Sequence, residues 1–265
     1  MSYKAITYEK KGQIDYIILN RPEVANAINT QMALELEEVC LRIKKDDDTR
    51  VVVISGAGDR AFCSGEDLGQ FSSAVLSETP SVIELKEFIL RHNVAKMIAE
   101  IECPVIAAIN GDALGAGLAL ALSCDLRIAS DRSLFGVADV TRGYLSASGI
   151  TQWLPRIVGR GKAMELILTA ELIDAQEAYR VGLIHRLVSY EQVLDEAEKI
   201  AKEIAFRAPI ALRYAKEAVN KGLDLTLEQG LRLECDLYMI LHTTRDRIEG
   251  IEAFREKRQP LFKGE

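Results

Sequence analysis

A chain of 265 residues that is 48% hydrophobic and 28% charged has the composition of a soluble globular protein with one sizeable core. Its 33 basic and 40 acidic residues leave a formal charge of −7, and no lysine- or arginine-rich run interrupts that balance, which argues against a nucleic-acid surface. Met1-Ser2-Tyr3-Lys4 opens no signal region and no apolar run approaches the ~20 residues of a membrane span, so the expected location is the cytoplasm, with no membrane partner.

In chain order, residues 6–8 and 15–19 flank the polar Lys10-Lys11-Gly12 and predict a β-hairpin. Residues 20–27 predict a loop, because the residue before Pro22 is pushed out of the helical region. Asn29-Thr30 has cap chemistry for a helix over 32–43, whose apolar positions recur at helical spacing. Residues 51–55 are an apolar strand leading into Gly56-Ala57-Gly58-Asp59-Arg60 and then Ala61-Phe62-Cys63-Ser64-Gly65-Glu66-Asp67-Leu68. Residues 70–80 are polar and serine-rich, read as a mobile segment, and 82–101 predicts a helix. Residues 105–109 are wholly apolar, as expected of a strand covered on both faces. The turn Asn110-Gly111-Asp112 follows, then Gly115-Ala116-Gly117 at the mouth of a buried helix over 118–122. A strand over 124–129, helices opening at Gly149 and Gly159, a helix start at Asp174, a stop at Gly182 and a strand over 183–188 come next. Four helices close the chain, over 193–206, 209–221, 226–242 and 245–256. The pattern is α/β with a helical C-terminal part.

The five cysteines (40, 63, 103, 124 and 235) show no C-x-x-C pairing and read as reduced thiols. His92, His185 and His242 have no ligand spacing, so no metal site is expected. The two small-residue turns after 51–55 and 105–109 carry the chemistry. Each can aim one backbone N–H at a single oxygen, which makes an oxyanion hole; packing alone is the other reading of such small residues.

Together these segments resemble the enoyl-CoA hydratase/isomerase (crotonase) superfamily, from Asn20-Arg21-Pro22 to Phe254-Arg255-Glu256-Lys257-Arg258. The resemblance implies a superhelix of ββα units, with an acyl-CoA-binding core over 1–195 and a helical C-terminal region over 196–265 that builds a homotrimer or a dimer of trimers. It implies an acyl-CoA thioester substrate and no separate cofactor, since coenzyme A arrives with the substrate. The oxyanion amides fall on Glu66 and Ala116. Family positions that contact coenzyme A fall on Val24, Ala25 and Ala27, on Ser64, Asp67 and Leu68, and on Phe254 and Lys257, the last two often serving a neighbouring subunit. The acyl pocket is expected near 69–80, 82–91 and Tyr144.

Hydratases of the family hold water between two glutamates. Here the first position is Ala119 and the second Asp139, one methylene shorter. A lone carboxylate suffices to shuttle a proton in double-bond migration, whereas hydration is the family's commonest activity; both stay open, with decarboxylation, C–C cleavage or a non-catalytic scaffold behind them. Asp139 is read as the acid/base, against a salt bridge to Arg142 or a capping role. Glu66 offers a side chain that either replaces the missing carboxylate or faces solvent.

Overall fold

The computed structural model describes residues 3–67, 69, 93–145 and 147–265. The hairpin forms as β1 (Ile6–Lys11) and β2 (Ile14–Leu19), paired antiparallel. Helix α1 (Thr30–Lys44) is capped by the Asn29 side chain, which accepts from the Met32 N–H, and buries Met32, Leu36, Val39 and Ile43 along one stripe. Then come β3 (Val51–Gly56), β4 (Ala61–Cys63), α2 (Val94–Ala99), β5 (Val105–Ile109), β6 (Asp112–Leu114) and α3 (Ala116–Ser123). The expected helix over 82–101 is thus seen over its last turns, and its earlier part lies outside the described residues, as do 70–80. β7 (Leu126–Ser130) and β8 (Leu134–Gly136) lead to α4 (Ile150–Thr169), which breaks at Gly159, where a φ of +80° leaves the helical region. β9 (Ile173–Asp174), α5 (Ala175–Arg180) and β10 (Arg186–Val188) precede the last helices, α6 (Val193–Ala205), α7 (Pro209–Gly222), α8 (Leu227–Leu241) and α9 (Arg245–Glu256).

The strands divide between two sheets, β1-β2-β3-β5-β7-β10 and β4-β6-β8-β9. Each successive strand pair, β3/β4, β5/β6 and β7/β8, sends its first member to the larger sheet and its second to the smaller. Within each sheet those strands pair in parallel, so the chain advances by one strand per turn of a superhelix. Parallel strands covered on both faces need apolar side chains on both, which explains the unbroken burial of Val105–Ile109. One face of the larger sheet packs against α1, α2 and α3 through Ile54, Ala107 and Ile109; the other packs against Val193, Ala197, Ala201 and Ala205 of α6. Among the described residues no helix is long and apolar enough to cross a membrane.

Close backbone approach governs the joints between units. A side chain at Gly117 would meet the Cys63 backbone, its Cβ only 2.6 Å from the carbonyl carbon and closer still to the oxygen. The start of α3 therefore rests directly on the end of β4, a contact open only to glycine.

Candidate active site

The first turn is anchored by an isolated parallel bridge. Ile28 N–H donates to the Gly65 carbonyl and Asp67 N–H donates to the Ile28 carbonyl, both at 2.8 Å. In parallel pairing the residue between those two bonds, Glu66, directs its own N–H away from the partner strand. That N–H has no acceptor among the described residues. Gly65 holds a φ of +104°, and a Cβ there would stand 3.0 Å from the Leu114 carbonyl and 3.5 Å from Ala116 N, so the first turn lies against the second.

The second turn places Ala116 at the first position of α3, where helix N–H groups have no intrahelical partner. Its N–H too lacks an acceptor among the described residues. Gly115 is held by its N–H donating to the Gly136 carbonyl at 3.0 Å, and its backbone (φ +50°, ψ −123°) is one that side-chain-bearing residues avoid.

Asp139 follows β8 and opens a short 3-10 turn (Asp139–Arg142). Its carboxylate hangs over Gly115, with Oδ1 3.8 Å and Oδ2 4.0 Å from where a Cβ would be. It is 7% exposed, and Oδ2 has no hydrogen-bond partner among the described residues. Among the described residues no ion pair within 4.0 Å joins it to Arg142, and the N-cap of its turn is Ala138. Burial raises its pKa, against the lowering effect of a hydrogen bond from Tyr144 and of the Arg142 charge. Glu66 is also raised, first by burial and then by the Asp139 charge.

Glu66, Ala116, Asp139, Arg142 and Tyr144 line one cavity of about 270 Å3, closed on another side by Ala170 and Leu172. The last two, from the α4–β9 junction, are absent from the sequence reading; a left-handed alanine such as Ala170 (φ +56°) leaves no trace in residue type. Ala119 is wholly buried in the core on α3 and does not line the cavity.

Of the predicted coenzyme A positions, Val24 and Ala25 are hydrogen-bonded to Ser64 beside the cavity. Ser64 N–H donates to the Ala25 carbonyl at 3.0 Å and the Ser64 hydroxyl to Val24 O at 3.4 Å. Arg21 donates to the Ala27 carbonyl at 2.7 Å and pairs with Asp67 at 2.9 Å, so the Asp67 carboxylate is engaged in holding the loop. Asn26, buried and left-handed, donates to the Ala57 and Ala61 carbonyls and accepts from Arg21 N. Its role also went unread, because asparagine in a loop has many uses. Leu68 lies outside the described residues. Phe254 is 85% exposed on α9 and Lys257 is its left-handed cap; neither lines the cavity. The Cys63 thiol, beside the first turn, is pushed up to about 12 by burial, which disfavours its thiolate.

Paired strands feeding two sheets, with a cavity between two strand-to-loop turns, define an α/β enzyme of the crotonase class. The chain belongs to the enoyl-CoA hydratase/isomerase family, whose model matches residues 9–265, and is an enzyme of hydratase or isomerase type. It is 37% identical over 263 residues to a crotonyl-CoA hydratase of Syntrophomonas wolfei, covering 99% of each chain. With an (E)-benzylidenesuccinyl-CoA hydratase of Thauera aromatica it shares 38% over 259 residues, 98% of this chain and 99% of that one. The crystal structure of an enoyl-CoA hydratase from Bacillus anthracis superposes with a TM-score of 0.93 at 38% identity, covering 99% and 100% of the two chains.

Proposed function

We propose that the cavity takes the acyl end of an acyl-CoA thioester and carries it through an enolate. The Glu66 and Ala116 N–H groups meet the thioester oxygen, and Asp139 moves the proton. The observation that carries this reading is that one cavity is lined by Glu66 and Ala116, whose amides have no acceptor among the described residues, and by the buried Asp139 carboxylate with one oxygen unpartnered. Oriented N–H groups in a water-poor site stabilise developing negative charge more than water does, and donors already held in place need no reorganisation. A buried carboxyl with a raised pKa is a stronger base than an exposed one. Coenzyme A then lies along Val24, Ala25, Ala27, Ser64, Asp67 and Leu68, and no cofactor beyond it is required.

Hydration of a 2-enoyl-CoA is the leading activity, supported by the hydratase names of the similar proteins from Syntrophomonas wolfei and Thauera aromatica. Double-bond migration is the second reading, favoured by the methyl group of Ala119. Purified protein with 2-enoyl- and 3-enoyl-CoA esters separates them by mass spectrometry: hydration adds one water to the thioester, whereas migration leaves the mass unchanged. Tight thioester binding without either product would refute catalysis and leave a scaffold.

The C-terminal region, 196–265, is the proposed assembly surface. Helix α8 buries only Leu237 within the chain, while Leu227 (80% exposed), Tyr238 and Met239 face outward. Apolar surface of this extent needs a cover, and a homotrimer or dimer of trimers supplies one, with Phe254 and Lys257 brought to a neighbour's coenzyme A. Helix α6 straddles the start of that region and is itself packed on the larger sheet.

A further inference from the structure

We propose that the Glu66 side chain is the second acid/base group of this site, supplying from the loop after β4 the carboxyl that α3 lacks at Ala119. The inference rests on the thioester reading above and adds a residue to it. Four titratable or charged side chains line the cavity among the described residues: Glu66, Asp139, Arg142 and Tyr144. The rest of the lining brings the Ser64 hydroxyl and otherwise only glycine or apolar groups, from Leu114 to Ala116, Gly136, Ala138, Ala170 and Leu172. Two carboxyls around one substrate are the equipment of a two-proton reaction.

Hydration is such a reaction. The oxygen of water bonds to Cβ as the π bond breaks, the electron pair passes through Cα to the thioester oxygen, and water gives one proton to a base. Collapse of the enolate then takes one proton from an acid at Cα. The environments of the two carboxyls assign the roles. Burial raises Asp139 as it raises Glu66, but Asp139 alone receives a hydrogen bond from Tyr144 and lies near the Arg142 charge, both of which favour its ionised form; on this inference it is the base. Glu66 has no hydrogen bond or ion pair among the described residues, and burial and the Asp139 charge both favour its protonated form; it is the acid. Position agrees with this assignment. The Glu66 N–H is the amide read as meeting the thioester oxygen, so its side chain springs from beside the carbonyl, one bond from Cα. After turnover Asp139 carries a proton and Glu66 has lost one, and transfer between the two carboxyls restores the starting state.

Glu66→Gln keeps the backbone amide and the side-chain shape while removing the proton. With 2-enoyl-CoA esters of four to ten carbons, the expected result is a ~10²–10⁴-fold fall in kcat with KM changed by less than about threefold. The alkaline limb of the wild-type kcat profile, where the acid is lost, is expected to disappear. Asp139→Asn is expected to abolish turnover by removing the base. Glu66→Asp is expected to retain measurable hydration, and butyryl-CoA binding and circular dichroism identify a variant that has merely unfolded, in which case Glu66→Ala replaces it. A glutamine variant that hydrates at the wild-type rate while Asp139→Asn is dead overturns the role of Glu66 and leaves the thioester reading standing. Wild-type rates in both variants overturn both. A wild type that moves the double bond of 3-enoyl-CoA but hydrates none of the 2-enoyl esters also overturns the role of Glu66.

Discussion

Replacing Gly117 with alanine tests whether the contact between α3 and β4 sets the geometry of the site. The added Cβ would lie 2.6 Å from the Cys63 carbonyl carbon and 2.8 Å from the Cys63 Cβ, whereas ordinary contact begins near 3.4 Å. The start of α3 must therefore retreat by at least ~0.8 Å, and since the obstacle is backbone, no rotamer change relieves it. Overpacking of this kind costs about 1–3 kcal/mol. In a chain of this size each kcal/mol corresponds to ~2–4 °C in Tm. The retreat also carries the Ala116 N–H away from that of Glu66, and a misplacement approaching 1 Å at reacting groups costs ~10²-fold in rate. Gly161→Ala is the control: nothing lies within 4 Å of its added Cβ on α4, so that variant is expected to gain about 0.4–1 kcal/mol. Thermal unfolding by circular dichroism and kcat on a 2-enoyl-CoA ester read both effects. A Gly117→Ala protein with unchanged Tm and kcat would show that α3 does not rest on β4 as described, and the proposed convergence of the two amides would lose its support.

Asp139→Asn should raise Tm near neutral pH while destroying activity, because a buried carboxylate with one unpartnered oxygen costs more to hold ionised than a neutral amide costs to bury. Since the folded-state pKa lies above the ordinary 3.8, wild-type stability from this group is full below that value and is lost as pH rises through the raised one. The Tm gap between variant and wild type should accordingly open with rising pH; a gap that narrows instead contradicts the assignment. Arg21→Lys keeps the charge but not the fork that spans the Ala27 carbonyl and Asp67. The loop carrying Ala27 should loosen and, on the proposed coenzyme A placement, the Kd for butyryl-CoA rise about fivefold, from loss of roughly 1 kcal/mol, with kcat little changed; calorimetry giving the wild-type Kd would count against that placement. Paired substitutions Leu227→Glu and Tyr238→Glu on the exposed face of α8 should reduce the mass seen by light scattering toward that of one chain, and an unaltered assembly would place the interface elsewhere.

The run of buried residues at 105–109, the cap at Asn29 and the glycines at 65, 115 and 117 each announce a local conformation through residue type alone. Side-chain branching, missing Cβ atoms and capping oxygens act on their own few residues of backbone. The same holds for a deletion: Ala119 carries no proton in any fold. What residue type does not encode is which distant segments meet. The bridge between Ile28 and Glu66 turns one amide outward, the Gly117–Cys63 contact sets α3 on β4, and Asp139 is brought above Gly115 from a third ββα unit. Glu66 is ambiguous as a letter, equally suited to solvent or to a pocket, until burial beside Asp139 raises its carboxyl. Ala170 and Leu172 enter the wall of the cavity only because β9 pairs with β8. Local sterics wrote the strands, turns and caps into the chain; long-range packing and the low dielectric it creates decided which of those turns share a cavity and which carboxyls are pushed toward their protonated forms.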